Sequence, residues 1–113
     1  MTDTLSLENK DFGQYKANIF GEWYVDEKRM AWKYLVVFHL LKNGNTYEAT
    51  FSTSQKINKD TFFDLVDYLE FELGEKITFS NQHKTMNDFL SIINENLLKT
   101  KPHSSASEAY YGI

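Results

Sequence analysis

Between Asp60 and Glu75 the chain carries six carboxylates, Asp60, Asp64, Asp67, Glu70, Glu72 and Glu75, and no basic residue. Phe62, Leu65, Val66, Leu69 and Leu73 run through the same stretch at helical spacing, so one face is apolar and the other is a strip of negative charge. Like charges three or four residues apart on a helix repel, at a cost of a few tenths of a kcal/mol per pair. A sequence shaped by stability alone places Lys or Arg among them. The chemistry that suits such a strip is electrostatic recognition: carboxylates spaced along a helix imitate a row of phosphates and attract a basic surface. The plain alternative is a solvated outer face that keeps the protein in solution. A divalent-cation site fits poorly, because a calcium loop is punctuated by glycine and this stretch is not.

Other catalytic chemistry finds little support. The 113 residues contain no cysteine, which removes thiol catalysis, Cys-ligated zinc and disulfide frameworks. His39, His83 and His103 are scattered, whereas metal ligands converge. No G-x-S-x-G elbow and no glycine-rich phosphate loop occurs. The expectation is a protein that is not an enzyme and carries no cofactor and no metal. Charge is divided unevenly: the net of −4 splits into +1 for residues 1–59 and −5 for residues 60–113. An acidic second half is ill suited to tracking a phosphate backbone.

The elements that position these groups form a single α+β domain. Residues 17–25 alternate as a strand, with Ile19, Trp23 and Val25 on one side and Phe20, Glu22 and Tyr24 on the other. Asp26–Arg29 is a charged connection of hairpin length, and Met30–Leu41 is a second strand. Asn43-Gly44 then marks a two-residue hairpin turn, which pairs Leu40 with Tyr47, Phe38 with Ala49 and Val36 with Phe51 on the core face. The opposite face pairs His39 with Glu48 and leaves Leu35, Val37 and Leu41 partly exposed. Asn58 reads as the N-cap of the acidic helix, stapled by Ile57 and Phe62, and Gly74 as its end. Lys76–Ser80 suggests a fourth short strand. Thr85 and Asp88 resemble a capping box for a second helix striped by Met86, Phe89, Leu90, Ile93 and Leu97. The expected fold is a small antiparallel meander of three to four strands with two helices on one face. Its domain spans residues 17–100, between a loosely ordered arm (1–16) and a flexible tail (101–113).

In its size, acidity, lack of cysteine and layout the chain is similar to accessory proteins of phages and mobile elements and to small acidic immunity proteins. That resemblance implies an inhibitor or regulator that acts by binding, as a nucleic-acid mimic or through a related anti-defence role. The partner-binding residues would be Asp60, Asp64, Asp67, Glu70 and Glu75, set against a basic, nucleic-acid-handling protein. A second reading makes the chain a single-strand nucleic-acid-binding module, with Phe20 and Tyr24 stacking on bases and Arg29 and Lys33 meeting phosphates. A third buries Leu35, Val37 and Leu41 in a homodimer. No apolar stretch approaches the roughly 20 residues that span a bilayer, and the first residues do not read as a signal peptide. The expected location is cytoplasmic, with no membrane partner.

Overall fold

The computed structural model describes residues 4–111. Four antiparallel strands, β1 (Leu5–Phe12), β2 (Tyr15–Asp26), β3 (Ala31–Lys42) and β4 (Asn45–Thr53), form one sheet in chain order. They are followed by α1 (Lys59–Leu73), α2 (Gln82–Lys99) and a short α3 (Ala106–Tyr111). The α+β meander with two helices on one face is the architecture expected from the sequence.

The β3–β4 register matches the turn chemistry: Leu40 pairs with Tyr47, Phe38 with Ala49, Val36 with Phe51, and His39 with Glu48. Asn43 and Gly44 both take positive φ, 50° and 81°, as a type I′ turn requires. Alternate residues therefore point to one side. Ala17 and Ile19 of β2 and Tyr34, Val36, Phe38 and Leu40 of β3 are buried there, together with Phe62, Leu65, Val66 and Leu69 of α1 and Phe89, Ile93 and Leu97 of α2. Phe12, Phe38, Phe62, Phe79 and Phe89 meet edge-on or tilted, their centroids 4.9–6.2 Å apart. On the other face Leu35, Val37 and Leu41 are half-buried.

Four parts of the sequence reading need correction. The supposed arm, residues 1–16, contains strand β1 and the start of β2. A bulge between Leu7 and Lys10, with Asn9 at φ 56°, resets the alternation, so Leu5 and Leu7 fall out of phase with Phe12 and no period-two pattern is legible. Residues 76–80 form no strand. The Gln14 side chain accepts from the Thr78 N–H (2.7 Å) and donates to the Lys76 carbonyl (3.2 Å), supplying a strand-like partner from one amide. Gly13 makes this approach possible, since a Cβ there would lie 2.7 Å from the Thr78 carbonyl oxygen. Helix α2 begins at Gln82 rather than near Thr85, because Asn81 Oδ1 accepts from the Lys84 N–H at 3.1 Å. The tail is docked as far as Tyr111: Trp32 Nε1 donates to the Ser104 carbonyl (2.9 Å), Ala106 is buried, and the Tyr110 hydroxyl donates to Glu27 (2.6 Å). Residues 1–3 of the arm and 112–113 of the tail lie outside the described residues.

Candidate functional site

Helix α1 carries the acidic strip, and its local sequence explains its position. Asn58 Oδ1 accepts from the Asp60 N–H at 3.0 Å, and Gly74 closes the helix at φ 72°, with its N–H bonded to the Glu70 carbonyl. Ile57 is buried with Phe62, and its backbone is held from both sides by the Asn94 amide of α2, at 2.8 and 3.0 Å. These anchors fix the rotation of α1, sending Phe62, Leu65, Val66 and Leu69 inward and Asp60, Asp64 and Asp67 outward into solvent.

The six carboxylates do not act as one strip. Glu70 turns toward the segment after the helix: its carboxylate accepts the Ile77 N–H at 2.8 Å, lies 3.6 Å from Lys76 Nζ, and its side chain is only 16% exposed. Glu75 accepts the Tyr15 hydroxyl and pairs with Lys42 Nζ at 2.9 Å. The Tyr15 bond, then Lys42, holds its carboxyl below the usual carboxylate range. Glu72 accepts from the Tyr68 hydroxyl at 3.0 Å, which pushes the Tyr68 pKa up. Glu70 and Glu75 therefore also tie the end of α1 to its neighbours, their charge partly met within the protein. Asp60, in the first turn, also complements the positive end of the helix dipole. Asp64 and Asp67 make no ion pair or side-chain hydrogen bond among the described residues.

Sequence reasoning passed over three aromatic rings on this surface. Phe71 is 82% exposed, Tyr68 47% and Phe63 39%. At 3.6 residues per turn, Asp60, Asp64, Asp67 and Phe71 fall within about 60° of one another around the helix axis, with Phe63 and Tyr68 flanking. The signal was present in the sequence, as aromatic residues placed out of phase with the buried stripe. A large exposed ring is the kind of side chain that anchors an interface once a partner covers it.

The sheet-face candidates are less concentrated. Phe20, Tyr24 and Lys33 share the face away from the helices, Tyr24 and Lys33 being directly paired across β2 and β3. Glu22 stands between the two rings, and Phe20 packs edge-on against His39 at 5.8 Å. Arg29 lies in the β2–β3 turn, beyond the strand ends. His39 Nε2 lies 2.8 Å from Glu48 Oε2, the cross-strand polar pair expected from the register. Among the described residues no polar or charged side chain is buried, no metal-sized cluster of His, Asp or Glu forms, and no helix is long and apolar enough to cross a membrane. The chain matches no family model, no curated protein and no solved structure.

Proposed function

We propose that the protein is a non-enzymatic cytoplasmic binding protein, an inhibitor or regulator that presents the outer face of α1 to a basic, nucleic-acid-handling protein. The observation that carries this reading is Phe71, the most exposed of the large apolar side chains described, set among the unpaired carboxylates of Asp64 and Asp67 on a helix whose opposite face is locked into the core. The carboxylates steer a cationic partner and exclude an anionic one, while Phe71, flanked by Phe63 and Tyr68, supplies the desolvated anchor from which an interface draws most of its affinity. Asp60 adds charge at the helix start. A face of this kind favours protein over nucleic acid.

The test is capture of partners from nuclease-treated lysate of the source cells by the native chain and by the double variant Asp64→Lys, Asp67→Lys. A stoichiometric protein that is retained by the native chain, released by high salt and lost by the variant is the expected outcome. Equal retention by the variant, with its fold intact by circular dichroism, would contradict the reading.

A further inference from the structure

The sheet has two edges, and they differ. Strand β1 is interrupted by the bulge at Leu7–Lys10 and by the left-handed Asn9, whose N–H is occupied by the Asn18 side chain at 3.0 Å. Such a break is how an edge is protected from further pairing. Strand β4 has no break: its register to β3 is continuous from Asn45 to Thr53, and among the described residues it has no strand neighbour on its other side. Along that free edge runs a groove of about 610 Å³. One wall is the unbroken run of residues 48–53, and the other is Thr61, Asp64, Leu65 and Tyr68 of α1. Side chains along a strand alternate between faces, so a wall made of six consecutive residues is the strand's edge, with its backbone N–H and C=O groups turned to the groove.

Charge decides the occupant. Asp64 lines the helix side of the groove, where the Tyr68 hydroxyl also holds the Glu72 carboxylate, and Glu48, its carboxylate paired with His39, lines the strand edge; the cation among the lining residues is Lys56. A second copy of this chain, itself carrying −4, would bring like charges together along a β4–β4 seam. An extended segment with Lys or Arg at alternate positions meets complementary charge instead. We infer that the free edge of β4 takes such a segment of the partner as a fifth strand, its backbone pairing with residues 48–53 and its cationic side chains reaching Asp64 on the helix side. Main-chain bonds supply affinity in this mode of recognition and the flanking side chains supply selectivity. The inference rests on the α1 reading above, since Asp64 serves both surfaces, and it makes α1 and β4 two sides of one interface.

The experiment uses the full chain and ten-residue peptides of alternating Lys and Val, with alternating Glu and Val as control, followed by calorimetry and by amide chemical shifts of residues 48–53. The Lys peptide is expected to bind and the Glu peptide not. N-methylation at every second residue of the Lys peptide is expected to weaken binding at least tenfold in one phase and to leave it nearly unchanged in the other, because an added strand bonds through one edge only. Equal losses in both phases, or shifts confined to α1, would overturn edge pairing. If Asp64→Lys, Asp67→Lys still abolished binding in that case, the α1 reading would stand without it. Absence of binding by the Lys peptide, or β4 shifts that appear only on self-association of the chain, would also overturn the proposal. Capture of a partner in the preceding experiment would still decide the α1 reading separately.

Discussion

Helices α1 and α2 lie on the same side of the sheet and bury comparable faces, Phe62, Leu65, Val66 and Leu69 in one and Phe89, Ile93 and Leu97 in the other. Their outer faces diverge. On α2, Lys84 pairs with Asp88 at 2.9 Å, His83 bonds Asn87 at 3.1 Å, Lys99 complements the C-terminal end of the dipole, and two Lys balance two acids. On α1 a single Lys faces five acids, the last turn has no cation, and three aromatic rings stand in solvent. The same fold thus shows what a helix exterior looks like when it serves stability alone. Asp60 and Glu70 still serve the fold, but Asp64, Asp67 and Phe71 make no tie that steadies it, which is why they are proposed to meet a partner.

The comparison predicts similar inner faces and opposite outer ones. Phe62→Ala should cost about 3–5 kcal/mol and Ile93→Ala about 2–5, measured by urea unfolding. A cost below about 1 kcal/mol for either, well under that range, would show that the helices are not equally seated. The tie between the sheet and α2 gives the next effect. Tyr34 is fully buried, its hydroxyl donates to Asn96, and burial pushes its pKa up to about 12 from 10.0. The unfolded chain releases that proton first. The tyrosine's contribution is therefore complete below pH 10 and falls by roughly 2–3 kcal/mol as pH rises through the folded value. Tyr34→Phe should remove this part of the alkaline loss, and an unchanged pH slope in that variant would refute it.

Within α1 itself, Glu70→Ala should cost about 1.5–3 kcal/mol through the lost bond to the Ile77 N–H, whereas Asp67→Ala should stay within about 0.5 kcal/mol. Equal costs would erase the distinction between structural and presented carboxylates. The smallest effects should carry opposite signs. Asp64→Lys with Asp67→Lys should raise stability by a few tenths of a kcal/mol, while Lys84→Glu should lower it by about 0.3–0.5. A destabilised α1 variant would place the strip in the service of the fold.

The sequence carried the β2–β4 meander, the β3–β4 register and both helices, because Asn43-Gly44, Asn58 and Gly74 act locally and the apolar periods are unbroken. Strand β1 was hidden by its bulge, and the Gln14 bridge to residues 76–78 was hidden because its partners are more than sixty positions apart. The acidic helix was legible as a charge pattern, but its division was not. Glu70 and Glu75 look like Asp64 and Asp67 until the fold supplies the Ile77 N–H, Tyr15 and Lys42. Phe71 was legible in principle, as an aromatic residue on the polar side of a helix.

The central claim is that α1, not α2, presents the binding surface. Its most direct test is partner affinity measured side by side for Phe71→Ala on α1 and Leu98→Ala on α2, an exposed apolar residue on the matching helix. The account predicts a loss of at least tenfold for Phe71→Ala, with unfolding midpoints unchanged in both variants and native affinity for Leu98→Ala. Equal affinity for the two variants, or a loss confined to Leu98→Ala, would contradict it.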